Sequence, residues 1–452
     1  MRAITRWLAA AVALALGIGA SGPAASSRES QLTDLEAARA NYVARAFAFT
    51  PERRAQALDA LSTLEARAGR LSKFEFLLGI AHVAALAENA HDDFEFGDGA
   101  WRPPVRLPFR MLWFPDAMVV SRASPAYADL LGAQVITIDG YTPDEIFSAL
   151  TYIDGGTLAY RSWNSEWAVE SPGVLNALHV ARSAASYDMR LRLADGRIVA
   201  RSIPGVDRTS VPVVVDAPRL WSPQPFLFEA SHGWRTANAT ARVPVYLQDP
   251  DSLFRMAELP RLQAVYVQFR SNRDEGDQKV LPFVQRVMQR LKRRPRNLIL
   301  DLRFDTGGDN TLTLGLMRAI PTLVASRIYL MTGRYTFSAG MASAAALKHA
   351  GGTRVTIVGE PVGDRLQWWS EGRPTCLPDS HLCLTPNTGF WDLAHGCSGK
   401  PHCYGDQFDS VVGSLDPQIS APLTAQAWLA GDDPGMDAIA RDLASSARNT
   451  DR

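Results

Sequence analysis

Residues 297–360 constrain this chain more than any other stretch. They begin NLILDLRFDTGGDN and resume at Gly333 with GRYTFSAGMASAAALKHAGGTRVTIVGEP. The apolar run 298–302 stops at Gly307 and Gly308, the pattern of a buried strand entering a tight turn. With no Cβ on either glycine, their N–H groups can approach a ligand and hold a developing oxyanion. A plain strand-to-helix loop is the other reading of such a pair. Residues 327–331 read as a second strand, 336–340 as a turn, and the small residues from Met341 onward as a helix. Ser338 then stands at a helix N-terminus, where free N–H groups and the helix dipole favour negative charge. Serine is also an ordinary N-cap. Residues 355–361 close the unit as a third strand.

DLRFDTGG, TFSAG and VGEP, in this order and spacing, resemble the S41 serine peptidases, which include the C-terminal processing proteases and the tricorn core protease. The resemblance runs from about residue 71 to 440 and takes in the late segment AQAWLAGDDPGMDAIA. It implies an α/β fold with a crotonase/ClpP-like β-α core, preceded by a helical N-terminal region and a PDZ-like β-rich domain. It also implies a serine-type endopeptidase without a cofactor. In that pattern Ser338 is the nucleophile, and the N–H groups of Gly307 or Gly308 and of Ala339 hold the oxyanion.

Arg2 and Arg6 precede an apolar run over residues 7–18 and then small residues, the layout of a secretory signal peptide over residues 1–27. The apolar run is short for a membrane span. The expectation is an exported protein, periplasmic or secreted, with no stable span once the signal is removed. Lys plus Arg and Asp plus Glu number 47 each, so the net charge of zero carries no nucleic-acid footprint. The expected partner is a peptide or an unfolded protein. The sequence is silent on oligomeric state.

Cys376, Cys383, Cys397 and Cys403 fall in one loop-rich stretch. An even, clustered set in an oxidising compartment implies disulfides. The short loops favour Cys376–Cys383 with Cys397–Cys403 over the two other pairings. His381, His395 and His402 lie among them, but the spacings match no standard zinc pattern, so no metal is expected.

The periodicity of residues 30–90 is helical. His82 sits on the apolar side of the third helix and reads as a core histidine. His91 lies just past that helix. Ala90-His91-Asp92 resembles the Gly-His-Thr turn of tricorn-like S41 members, whose histidine is the general base, although Ala and Asp stand where Gly and Thr are usual. Imidazole suits that work because its ordinary pKa is near neutrality.

Residues 28–100 are accordingly expected to be a helical domain, and 101–205 a PDZ-like one. GAQVITIDG (132–140) resembles the PDZ G-x-x-V-x-x-I-[ND]-G run, with a helix over 142–150 and a strand–turn–strand over 189–202. Such a groove would bind a peptide as an added strand. The insertion 152–186 is rich in aromatic residues and shows no interpretable pattern. Residues 206–258 read as a linker with edge strands, 259–428 as the S41-type domain, and 429–452 as a C-terminal helix and tail. Within the S41-type domain, 261–269 reads as a strand and 274–294 as a helix.

Two positions depart from the family. The lysine of the processing proteases falls at or beside Arg365, and arginine stays protonated. Lys348 reads as solvated. This favours His91 as the base. The tricorn-type glutamate falls near Val411, leaving Asp409 as the orienting acid, with Asp406 as an alternative. The weakness of that position keeps a second reading open, a catalytically inactive S41-like peptide-binding protein. An esterase-like use of the same serine is a third, and no GxSxG elbow of the α/β-hydrolase kind surrounds Ser338.

Overall fold

The computed structural model describes residues 27–211, 217–408 and 410–450. The expected signal peptide lies almost wholly outside them, and so does Asp409. Among the described residues no helix is long and apolar enough to cross a membrane.

A six-stranded sheet carries the stretch that organises the sequence. Its order is Phe254–Leu259, Ala264–Phe269, Asn297–Asp301, Ile328–Thr332, Val355–Gly359 and Ile419–Ser420, with only the first strand antiparallel to its neighbour. The four inner strands are buried almost without interruption, as parallel strands covered on both faces must be. One cover is the helix Val280–Leu291, whose Val280, Phe283, Val287 and Leu291 form a single apolar stripe. Each such side chain contributes about 1.5–3 kcal/mol on burial. The other cover is Pro434–Thr450, which sets Ala438 and Ile439 against Tyr266, Ile299, Tyr329 and Met331.

Some boundaries differ from the sequence expectation. The sheet takes its edge strand from Phe254–Leu259, which begins in the stretch read as a linker with edge strands and runs one residue past its expected end at 258. The 261–269 strand starts at Ala264, because Pro260–Leu262 forms a 3-10 turn. The expected helix 274–294 shortens to Val280–Leu291. Residues 217–221 and 227–231 are short helices within the stretch read as a linker with edge strands.

The N-terminal helices Arg28–Ala38, Pro51–Arg67 and Lys73–Ala85 follow the expected periodicity. Lys73–Ala85 opens with a capping box between Ser72 and Glu75. A second six-stranded, antiparallel sheet holds Phe109–Trp113, Met118–Ala123, Gln134–Ile138, Ser186–Arg192 and Ile198–Pro204, with Arg235–Thr236 added at Met118–Ala123. The helix Pro143–Leu150 follows its third strand. The insertion forms three short helices, Leu158–Asn164, Glu166–Val169 and Pro172–Ala177.

The N-terminal unit is pinned to the C-terminal half. Phe94–Phe96 pairs with Leu382–Leu384, one arm of a hairpin closed by Cys376–Cys383. Asp34 accepts the N–H groups of Asp379 and Ser380 at the hairpin tip. The second disulfide is Cys397–Cys403, so both pairings are those the short loops favoured.

Candidate active site

The Asn297–Asp301 strand delivers Asp305, Thr306, Gly307 and Gly308 to the edge of the helix Ala339–Gly351. Asp305 is fully buried. Its carboxylate accepts the Gly307 N–H at 3.0 Å, and its carbonyl accepts the Phe337 N–H at 3.0 Å. With its side-chain amide oriented to satisfy both neighbours, Asn272 donates to the two Asp305 carboxylate oxygens at 2.6 and 3.1 Å. Asp305 therefore ties the glycine turn to the turn that carries the serine. Burial pushes its carboxyl up to about 7, against the pull of the Gly307 N–H and Arg273.

This contact bears on the expected oxyanion donors. The Gly307 N–H is already given to Asp305. Among the described residues, the N–H groups of Gly308 and Ala339 have no acceptor. Gly307 and Gly308 have φ of +99° and +138°, which a side chain rarely tolerates. A Cβ on Gly307 would sit 2.7 Å from that of Ser338.

Ser338 immediately precedes its helix and does not act as a side-chain cap. Its backbone is at φ 53°, ψ −123°, a costly conformation for a residue with a Cβ. The serine opens on a cleft of about 340 Å³ lined by Gly308, Trp368, Glu371 and Tyr404.

His91 reaches this region from the N-terminal unit. Its ring stacks on Phe337, next to Ser338, with centroids 4.3 Å apart and planes inclined by 22°. Its carbonyl accepts from the Asn387 amide at 2.6 Å. Asn89 holds the same turn to the Gln367–Ser370 strand through both N–H and C=O of Trp369. Nδ1 of His91 lies 3.6 Å from Oδ2 of Asp364, whose side chain is 2% exposed. Among the described residues neither ring nitrogen has a hydrogen-bond partner, so His91 and Ser338 are not hydrogen-bonded.

Asp364 was not among the sequence candidates. It is one residue before Arg365, the position matching the processing-protease lysine, in VGEPVGDR. Arg365 instead donates to the carbonyl of Glu88, outside the site. Asp406, the alternative orienting acid, is exposed on a 3-10 turn. Val411 is also exposed, and its carbonyl accepts from His349. His82 bonds the Tyr152 carbonyl at 2.9 Å, as a satisfied histidine of a packed helix does. Among the described residues no cluster of His, Cys, Asp or Glu is arranged to hold a metal.

No family model matches the chain, and no curated protein matches its sequence. Solved structures do match. Mature CPAF superposes with a TM-score of 0.57 at 12% identity, covering 92% of this chain and 96% of CPAF. CPAF complexed with lactacystin gives 0.56 at 11% identity, covering 93% and 97%. The photosystem II D1 C-terminal processing protease gives 0.37 at 14% identity, covering 92% and 97%. At these identities the likeness speaks to fold, and the fold is the one that DLRFDTGG, TFSAG and VGEP pointed to, that of the S41-type peptidases.

Proposed function

We propose that the chain is a serine peptidase in which Ser338 is the nucleophile, His91 its general base and Asp364 the acid that orients the histidine. The observation that carries this reading is the approach of His91 to Asp364 through Nδ1, while its ring lies on Phe337 beside Ser338. An imidazole held at Nδ1 by a carboxylate keeps Nε2 free for a hydroxyl proton. Ser338 Oγ attacks the peptide carbonyl as Nε2 takes its proton, and the N–H groups of Gly308 and Ala339 hold the oxyanion. The proton then passes to the departing amine, and water cleaves the acyl-enzyme by the same route. The Ser338–His91 hydrogen bond is unmade in this structure and has to form when substrate binds, as catalytic hydrogen bonds often tighten only in the complex.

The two disulfides favour action outside the reducing cytosol. The antiparallel sheet between residues 109 and 204 is read as the PDZ-like unit that would present peptide substrate. The second reading, a non-catalytic peptide-binding protein, draws on the same unmade bond between His91 and Ser338. Fluorophosphonate labelling separates the two. Labelling of wild type that is lost in Ser338→Ala and strongly slowed in His91→Ala supports the peptidase. A folded wild type that resists the probe leaves the binding protein.

A further inference from the structure

The cleft of about 340 Å³ at Ser338 also takes in Gly308 and Ala339, the two residues proposed to hold the oxyanion. A substrate residue flanking the cleaved bond must therefore lie against this cleft. One wall is a pair of antiparallel strands, Gln367–Ser370 and Gly389–Asp392, which set Trp368 opposite Trp391. The two rings stack with centroids 5.2 Å apart and planes inclined by 8°. Trp368 in turn stacks on His91 at 6.0 Å and 11°, so the wall continues the stack that holds the proposed base.

The charged part of the cleft is acidic. Asp309 and Glu371 line it, and no lysine, arginine or histidine does. Glu371 directly follows the first of the two strands, at φ +65°, a costly conformation for a residue with a Cβ. Its Oε1 accepts from the Ser370 hydroxyl at 2.8 Å and from Trp391 Nε1–H at 3.1 Å. A Cβ on Gly389, which pairs with Ser370, would stand 2.6 Å from the Glu371 Cγ, so the facing strand leaves room for this side chain. Both hydrogen bonds fall on Oε1 and leave Oε2 for a guest. Burial, then the charges of Glu371 and Asp309, push the Tyr404 phenol up, so the field beside that ring is negative. The carboxylate of Glu371 is thus held in place by neutral donors, with no cation among the lining residues to offset it.

We propose that this cleft selects a lysine or arginine side chain next to the cleaved bond, and that Glu371 is the residue that determines the choice. This rests on Ser338 being the nucleophile. The ammonium or guanidinium donates to Glu371 Oε2. The aliphatic stem lies along the tryptophan wall, whose ring faces also attract a cation. An acidic guest is repelled by Glu371 and Asp309. Norleucine offers the stem alone and leaves the carboxylate unmet.

The test uses two series of internally quenched peptides built on alanine. One places lysine, arginine, norleucine or glutamate before the cleaved bond, the other after it, and mass spectrometry maps the cuts. A simple fluorophosphonate runs alongside. Glu371 is exposed and solvent screens the pair, so in one series lysine and arginine are expected to raise kcat/KM about tenfold over norleucine, with glutamate slowest. High salt should shrink that preference. Glu371→Gln should bring the lysine-to-norleucine ratio towards one, and Asp309→Asn should lower it in part, which keeps a second variant should the first fail to fold. If the fluorophosphonate labels Ser338 but neither series favours the cation, or none of these peptides is cut, the assignment is overturned and the serine mechanism stands. A ratio unmoved in the folded variants, or a Glu371→Gln protein that loses lysine and norleucine peptides alike, also overturns it. If the fluorophosphonate fails on wild type, the serine mechanism falls and takes the selectivity with it.

Discussion

Nδ1 of His91 faces Oδ2 of Asp364 across 3.6 Å, and among the described residues neither atom has a hydrogen-bond partner. The two residues come from opposite ends of the chain and meet at a buried point beside Phe337. An acid whose second oxygen serves no structural contact is suited to orienting an imidazole.

Asp364→Asn should therefore slow fluorophosphonate labelling of Ser338 by about 10²–10⁴-fold, the scale seen when a triad loses its orienting carboxylate. The variant should melt close to wild type. Asp406→Asn should change the rate less than twofold. Labelling kinetics decide it, and an Asp364→Asn protein that reacts like wild type removes Asp364 from the mechanism.

The backbone of Ser338 implies a trade between stability and reactivity. Ser338→Gly relieves a conformation that costs about 1–3 kcal/mol, offset by the greater freedom glycine brings to the unfolded chain. A net gain of about 1 kcal/mol is expected in chemical denaturation, with labelling abolished. Ser338→Ala should abolish labelling without that gain. Alanine proving more stable than glycine would refute the strain.

Gly340 tests how closely the serine helix approaches the glycine turn. A Cβ there would meet the Asp305 carbonyl at 2.3 Å. Gly340→Ala should destabilise the protein by about 1–3 kcal/mol, the range for overpacking, and suppress labelling by pushing the two turns apart. Retained labelling at wild-type rate would mean that the approach is not needed.

The Cys376–Cys383 hairpin carries the strand that pairs with Phe94–Phe96, just beyond His91. Replacing both cysteines by serine should cost about 2 kcal/mol, as expected for closing so short a loop. It should also slow labelling at temperatures where the protein is still folded. Circular dichroism and labelling measured together check this, and slowed labelling is the arm that a purely local role would not produce.

Stability should fall as pH rises from about 5 to 8. Burial raises the carboxyls of Asp92, Asp93 and Asp305 to about 7 and that of Asp154 to about 6. A raised acid binds more protons folded than unfolded. Its contribution is complete below the unfolded pKa near 4 and is lost as pH rises through the folded value. Thermal melts across that window should show Tm declining, and less steeply in Asp305→Asn. A Tm that climbs towards pH 8 would contradict these shifts.

The central sheet was legible because parallel strands buried on both faces leave unbroken apolar runs, as at 298–302. The disulfide pairing was legible because loop length alone favours it. Asp364 was not. An acid is recognisable as an orienting group only by what it faces, and His91 is brought to it by hydrogen bonds from Asn387 and by the pairing of residues 94–96 with 382–384. The insertion was opaque for a related reason. Its helices are too short for a periodicity to register, and its tryptophans find their partners outside it, Trp163 against Tyr335 and Phe337 and Trp167 against Phe94 and Phe96.

The pairing of residues 94–96 with 382–384 also sets a schedule. During synthesis the histidine leaves the ribosome early, the serine much later, and the hairpin that draws them together later still. A chain halted partway would carry a base with nothing to activate, or a nucleophile held by an unfinished scaffold. On the proposed mechanism, the molecule becomes able to cut other polypeptides only once nearly all of it has been made.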